Sequence, residues 1–132
     1  MIYGIGTDIV SITRIEAALG RHGDHFARRI LAPGEWEEYL QLPRRQSRQT
    51  AAFLAKRFAA KEAAAKALGT GFRNGINLQS IVVVHDRLGR PGLEFLDAAA
   101  KYCQNQGVER ALLSLSDEKS YAVAFVTLLL KA

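Results

Sequence analysis

Two acidic residues stand in settings that suit a divalent metal beside phosphate. Asp8 lies near the end of a glycine-containing stretch, residues 4–10, and Glu62 lies in an alanine-rich stretch four residues before Lys66. Mg²⁺ prefers oxygen ligands and usually takes only one or two carboxylates, which leaves its other positions to water and phosphate. Lysine and arginine then bind the remaining phosphate oxygens. The combination indicates a site for Mg²⁺ and a pyrophosphate group.

A long helix is predicted to carry Glu62 and Lys66. Residues 50–68 are mostly Ala, Leu, Lys and Glu, which lose little side-chain freedom in a helix. Phe58, Glu62 and Lys66 are spaced four residues apart and therefore share one helix face. The helix runs into a turn of three small residues: Gly69, Thr70 and Gly71. Glycine permits positive φ, which ends a helix and turns backbone N–H groups outward into a possible anion site.

Each of these signals also has a plain structural explanation. Glu62 and Lys66 form the favoured Glu-before-Lys pair of a helix surface, worth about 0.3–0.5 kcal/mol. Asp8 could serve as a turn or cap residue, and glycine after a helix is a common C-cap. It is the combination of residues that favours a metal–phosphate site.

Positive charge is concentrated in one part of the chain. The 132 residues include 18 Lys and Arg against 13 Asp and Glu, which gives a net charge of +5. Between positions 40 and 61 there is no acidic residue but a run of basic ones: Arg44, Arg45, Arg48, Lys56, Arg57 and Lys61. Such a stripe attracts nucleic acid, a phosphorylated small molecule or an acidic protein. The stripe lacks base-stacking aromatic residues, which weakens the nucleic-acid interpretation.

Periodicity and turn residues predict an α+β fold. Strands are predicted at 2–10, 81–84, 93–95, 110–115 and 121–130. Helices are predicted at 12–19, 25–31, 33–42, 50–68 and 96–106. Gly4 and Gly6 predict a close approach of another element to the first strand, and Gly20 is predicted to end the first helix. The order of elements indicates a long central helix packed on a mostly antiparallel sheet.

Length and composition predict a single domain spanning residues 1–132. The chain is 48% hydrophobic and 23% charged, as in folded globular proteins. No apolar run reaches the roughly 18 residues of a membrane span, and no signal-peptide pattern is present. Cys103 is the only cysteine, which agrees with a reducing compartment. We therefore expect a cytoplasmic protein that does not contact membranes.

Three motifs resemble the holo-[acyl-carrier-protein] synthase family of bacterial 4′-phosphopantetheinyl transferases. They are Gly6-Thr7-Asp8-Ile9-Val10 followed by Arg14-Ile15, the stretch FLAKRFAAKEA at 53–63, and KALGTG at 66–71. The likeness runs nearly the full chain. It implies the fold of that family and transfer of 4′-phosphopantetheine from coenzyme A to a serine of apo-acyl carrier protein, in fatty acid biosynthesis. Adenosine 3′,5′-bisphosphate is the other product, and a homotrimer with active sites between subunits is the expected assembly.

The resemblance also assigns roles to residues. It implies that Asp8 and Glu62 bind Mg²⁺ and, with Lys66, form the catalytic group. It implies coenzyme A contacts from Arg57, Lys61, Lys66, Gly69, Thr70, Gly71, Arg44 and Arg45. The basic residues expected to meet the acidic carrier protein are Arg14, Arg21, Arg28 and Arg29.

One position departs from the family pattern. Some members carry a histidine where this chain has Asp117, directly after Ser116, so the nucleotide contact of that histidine is not transferred. The acceptor of the serine proton stays open among Asp117, Glu118, Asp8 and a metal-bound water.

The competing interpretation is a non-catalytic basic module that binds an acidic protein or RNA. Such a module has no need of Asp8 and Glu62 among phosphate-binding cations. We therefore favour an enzyme whose partners are coenzyme A and an acidic carrier protein, and we expect no nucleic-acid partner.

Overall fold

The structure, a computed structural model, describes residues 1–43 and 47–132. Its elements follow in the order β1 (Ile2–Ser11), α1 (Ile12–His22), α2 (Asp24–Ile30), α3 (Pro33–Leu40), α4 (Arg48–Leu68), β2 (Ile81–His85), β3 (Pro91–Phe95), α5 (Asp97–Gln106), β4 (Val108–Asp117) and β5 (Tyr121–Leu130). A short 3₁₀ helix, Leu78–Ser80, precedes β2. The predicted α+β class is confirmed, with helices mostly in the first half of the chain and strands mostly in the second.

An antiparallel sheet with strand order β1-β5-β4 carries the core, and β2 and β3 form a separate antiparallel hairpin. The central strand β5 alternates, as a half-buried strand should. Its inward residues Ala122, Ala124, Val126 and Leu128 are fully buried. They pack toward α4, which lies across the inner face of the sheet. The prediction of a long helix on an antiparallel sheet is therefore confirmed.

The glycines of β1 allow the strand and α4 to meet backbone to backbone. A Cβ atom at Gly4 would overlap the carbonyl oxygen of Ala67, and one at Gly6 would overlap that of Ala63. Both glycines and Asp8 point to the same side of the strand, because side chains alternate along it. The predicted close approach is confirmed, and it brings the end of β1 that carries Asp8 against α4.

Several helix ends differ from the sequence prediction. Ser11 caps the start of α1, with its hydroxyl accepting the N–H of Arg14 at 3.3 Å. The helix nevertheless continues through Gly20 and ends at Gly23, whose φ is +59°. A glycine inside a helix costs only about 1 kcal/mol, whereas the left-handed φ at Gly23 suits glycine best. The helices α3 and α4 also differ, since α3 ends at Leu40 and α4 begins at Arg48.

The side of the sheet that faces away from α4 is apolar and uncovered. Six of its residues are 37% to 62% exposed: Ile5, Ile9, Leu112, Tyr121, Val123 and Phe125. The strand register places them together, because Ile5 and Leu112 flank Thr127, and Ile9 pairs with Val123. We call these six residues the outer sheet face. In the described parts of the chain, no helix combines the length and apolarity needed to cross a bilayer.

Candidate active site

Asp8 projects from β1 toward the last turns of α4. Its carboxylate is 18% exposed and accepts a hydrogen bond from the Lys66 ammonium, with 3.2 Å between Oδ1 and Nζ. The same Nζ lies 3.0 Å from the carbonyl oxygen of Thr7. Lys66 therefore binds both the side chain and the backbone of β1, and it does so one turn after Glu62.

Glu62 shares this corner with Asp8. Its pKa is raised, first because partial burial disfavours the charged form and then because the negative charge of Asp8 repels it. The Lys66 ammonium acts in the opposite direction and lowers the pKa. Two carboxylates from distant parts of the sequence are thus close enough for their charges to interact, and the Lys66 ammonium binds one of them.

This pair of carboxylates fits a divalent cation. Neighbouring carboxylates repel one another, and a shared positive charge relieves the repulsion; in the free chain Lys66 supplies part of that charge. Across residues 1–43 and 47–132, no group of three or more His, Cys, Asp or Glu side chains is arranged to hold a metal. Two oxygen-bearing side chains suffice for Mg²⁺ when phosphate and water complete its shell. Asp8 and Glu62 are therefore the residues that could hold the metal.

The turn after α4 has the backbone conformation predicted for it but not the predicted anion site. Gly69 and Gly71 have φ values of +82° and +61°. Their N–H groups point back at the helix, where Gly69 donates to Ala65 and Lys66 and Gly71 donates to Ala65. The expectation that these two N–H groups turn outward toward an anion is wrong, because they satisfy the carbonyls at the end of α4.

Lys61 lies apart from the cluster of Asp8, Glu62 and Lys66. It is fully buried, and its ammonium donates to the carbonyls of Ile30 at 2.7 Å and Leu78 at 2.8 Å and to the Glu35 carboxylate at 2.5 Å. An ammonium group has three donors, and all three are used inside the protein. The structure therefore places Lys61 away from the coenzyme-binding role expected for it.

Arg57 also faces away from Glu62. Five residues along an α-helix correspond to a rotation of about 140°, which puts Arg57 on another side of α4. Its guanidinium is buried, lies 4.0 Å above the ring of Phe53 and binds Glu38 at 2.7 Å. Its Nε has no partner among the described residues. Its phosphate contact stays a prediction, and Arg44 and Arg45 lie outside the described residues.

Exposed basic residues line α1 and α2. Arg14 and Arg21 lie on α1 and Arg28 and Arg29 on α2, all of them exposed. Arg28 lies above the ring of Trp36, 4.2 Å from its centroid. Because α1 starts directly after β1, this basic surface begins only a few residues beyond Asp8.

Two acidic residues form ion pairs that were not predicted from the sequence. The side chain of Glu35 is 1% exposed and pairs with Lys61. Its position three residues after Ala32, whose N–H it accepts at 2.9 Å, is the only feature of the sequence that indicates this inward orientation. Asp117 pairs with Lys56 at 3.6 Å. With 33% and 38% of the two side chains exposed, this second ion pair lies at the protein surface.

The pKa of Glu62 offers a direct test of this geometry. Asp8→Asn removes the repelling charge, so we expect the pKa of Glu62 to fall toward its ordinary value, measured by ¹³C NMR titration of the side-chain carboxyl group. Asp117→Asn, which neutralises a carboxylate held by Lys56, should leave it unchanged. An unchanged Glu62 pKa in Asp8→Asn would show that the two carboxylates do not interact.

Comparisons with known proteins agree with the motifs. A family model described as the 4′-phosphopantetheinyl transferase superfamily matches residues 4–126. A holo-[acyl-carrier-protein] synthase of Halorhodospira halophila is 59% identical over 128 residues, which are 97% of this chain and 98% of the relative.

Solved structures extend this similarity to the fold. The holo-[acyl-carrier-protein] synthase of Neisseria meningitidis is 46% identical with a TM-score of 0.89, covering 98% of this chain and 99% of that one. The Bacillus anthracis synthase in complex with CoA (3′,5′-ADP) is 37% identical with a TM-score of 0.79, covering 97% and 96%. With the site geometry above, these matches identify the chain as a member of the holo-[acyl-carrier-protein] synthase family within the 4′-phosphopantetheinyl transferase superfamily.

Proposed function

We propose that this protein transfers the 4′-phosphopantetheine group of coenzyme A to a serine of apo-acyl carrier protein and releases adenosine 3′,5′-bisphosphate, in fatty acid biosynthesis. The observation that carries the proposal is the convergence of Asp8, Glu62 and Lys66 at the junction of β1 and α4. The relatives are named holo-[acyl-carrier-protein] synthases, and the Bacillus anthracis relative is in complex with CoA. A non-catalytic basic module is not favoured, since binding an acidic partner does not require two carboxylates, Asp8 and Glu62, beside Lys66.

The chain supplies charge compensation for the diphosphate of coenzyme A. Asp8 and Glu62 would hold Mg²⁺, which when bound neutralises phosphate charge that develops as a phosphorus–oxygen bond breaks. Lys66 uses two of its three donors on Thr7 and Asp8, and its side chain is 55% exposed. The third donor has no partner in the described part of the chain and could bind a phosphate oxygen, where a fixed positive charge favours the transition state.

Further coenzyme contacts follow from the resemblance. The turn at Gly69, Thr70 and Gly71 begins three residues after Lys66, at the end of α4, so a coenzyme held by Lys66 would pass close to it. Arg57, Arg44 and Arg45 are proposed for the phosphates of the nucleotide. We place the enzyme in the cytoplasm, in agreement with its single cysteine.

The basic surface of α1 and α2 is proposed to receive the carrier protein. Arg14, Arg21 and Arg28 are exposed there, and an acidic partner would be attracted to them. A carrier bound on α1 would lie next to the end of β1, where Asp8 projects. This arrangement would bring the acceptor serine close to the diphosphate.

The outer sheet face supports an assembly of several copies. Soluble monomers rarely expose a large contiguous apolar patch, and this face joins large apolar side chains such as Ile5, Ile9 and Phe125 across neighbouring strands. We propose that it packs against other copies of the chain, and the resemblance favours three.

The transfer reaction itself is the first test. With apo-carrier protein, coenzyme A and Mg²⁺, the carrier should gain the mass of one phosphopantetheine group, followed by intact-mass spectrometry, and chelation of the metal should stop the gain. Asp8→Asn, Glu62→Gln and Lys66→Met should each lower kcat by about 100-fold or more, since each removes charge stabilisation of the transition state. Lys101→Met, an exposed change on α5, is the control. No mass gain with the unaltered protein would refute the proposal.

The carrier surface is tested by reversing one charge. Arg14→Glu should raise KM for the carrier protein about tenfold or more, because a repulsive contact replaces an attractive one, while KM for coenzyme A changes less than about twofold. The difference should shrink at high salt, which screens exposed charges. Arg87→Glu, in the β2–β3 turn, makes the same charge change elsewhere and should alter neither constant. Equal effects on both substrates would remove Arg14 from the carrier surface.

The assembly is tested on the outer sheet face. Phe125→Arg places a charge in the proposed interface, so we expect the protein to sediment as a monomer in analytical ultracentrifugation, in contrast to the unaltered chain. Leu88→Arg introduces the same side chain at a fully exposed turn and should keep the original sedimentation. A Phe125→Arg protein that is folded and sediments like the unaltered chain would exclude this face as the interface.

A further inference from the structure

We propose that Lys61 is a positioning residue, which together with Glu35 fixes the rotation of α4 and so holds Glu62 facing Asp8. The inference rests on the metal site of the proposed function. It gives Lys61 a role in the site without contact to substrate, metal or coenzyme.

The Lys61–Glu35 pair is completely enclosed. The side chains are 0% and 1% exposed, and Nζ lies 2.5 Å from Oε1 of Glu35. The other two ammonium donors bind the carbonyls of Ile30, the last residue of α2, and Leu78, the first residue of the 3₁₀ helix. No donor of the ammonium remains unsatisfied.

Glu35 extends the same network to two more elements. Its Oε1 also accepts the N–H of Ala32 before α3 at 2.9 Å, and its Oε2 accepts the N–H of Val83 in β2 at 2.9 Å. The pair therefore connects α4 with α2, α3, the 3₁₀ helix and β2. A buried ion pair with all its donors and acceptors bonded has one allowed geometry, because any displacement leaves a charge or a backbone group unsatisfied.

Helix α4 needs a directional contact to fix its rotation about its own axis, because few large side chains project from its buried surface. Most of its buried residues are alanines, whose short side chains interlock less with neighbours than large ones do. Rotation of the helix by one residue, about 100°, would turn Glu62 away from β1. Packing of methyl groups alone opposes this rotation weakly.

Contacts on opposite sides of α4 define its orientation. Ala63 faces Gly6 of β1 through a backbone contact. Lys61, two residues earlier, lies about 200° from Ala63 on the arc of the helix that passes through Glu62, and Glu62 lies at the middle of that arc, about 100° from each. Strand β1 contacts one side of α4, and the Lys61–Glu35 pair binds the opposite side. Together the two contacts fix the direction in which Glu62 points. Since Lys61 and Glu62 are adjacent, a shift of the first is passed to the second through a single peptide unit.

The test uses a charge-neutral double variant, Lys61→Met/Glu35→Gln. Lys61→Met alone leaves an uncompensated buried carboxylate, whereas removing both charges of a buried pair is often tolerated. We expect the double variant to unfold at a lower urea concentration than the unaltered chain, because the carbonyls of Ile30 and Leu78 lose their donor, but to be folded in the binding assay, which contains no urea. We expect its Kd for Mn²⁺ in the presence of coenzyme A, measured by water-proton relaxation, to rise about tenfold or more, as for other residues that orient metal ligands.

A matched control is the pair Arg48–Glu16, which joins the start of α4 to α1 at 3.1 Å and is exposed. Arg48→Met/Glu16→Gln removes the same charges from the same helix, and it should leave the Kd for Mn²⁺ unchanged. If the Lys61→Met/Glu35→Gln protein does not fold, Lys61→Arg replaces it, because it keeps the charge while its planar head group disturbs the three contacts.

The outcomes separate this inference from the proposed function. No Mn²⁺ binding by the unaltered chain would refute the metal site and the inference together. Binding by the unaltered chain, with the same Kd in a folded Lys61 variant, would overturn the positioning role alone. A raised Kd in the Lys61 variants but not in the Arg48 control supports it.

Discussion

The direct contact between the backbones of β1 and α4 is the constraint on which the rest of the structure depends. Gly4 and Gly6 have no side chain to separate strand from helix, so the carbonyls of Ala67 and Ala63 lie where Cβ atoms would stand. Asp8, two residues after Gly6 on the same side of the strand, is thereby brought to the last turns of the helix. A thicker interface would separate Asp8 from Lys66 and Glu62.

The close contact has a counterpart in the composition of α4. Alanine permits many sides of the helix to be buried at once, but it gives up the shape complementarity that large side chains provide. The hydrogen bonds of the Lys61–Glu35 pair are directional, so we propose that they orient α4 where apolar packing alone orients it weakly. A buried ion pair adds little net stability, so its proposed contribution to this fold is to fix the rotational position of α4.

Sequence reasoning predicted elements better than contacts. Some features of the sequence determine the conformation of their own segment. They are the alternation in β5, the alanine-rich stretch of α4 and the glycines of β1, and from them the strands, the long helix and the site of close approach were predicted. The end of α1 was misplaced because Gly20 and Gly23 are both glycines, and only the chain path selects the second. The burial of Lys61 was not predictable in the same way, since its partner Glu35 lies 26 residues away and its carbonyl acceptors leave no pattern in the sequence. The roles proposed for Asp8 and Glu62 come from the family resemblance, whereas the interaction between their charges is seen only in the fold.

The contact of Lys66 with Asp8 has a consequence for metal exchange. The Lys66 ammonium is a counter-ion of Asp8 that is covalently part of the protein, so it is present even when no metal is bound. A divalent cation at the proposed site would compete with the Lys66 ammonium for the Asp8 carboxylate, which would lower the affinity of the site for the free ion. Without a diphosphate, Lys66 would stay the counter-ion of Asp8, so the proposed site would hold a metal weakly until its phosphate ligand is present.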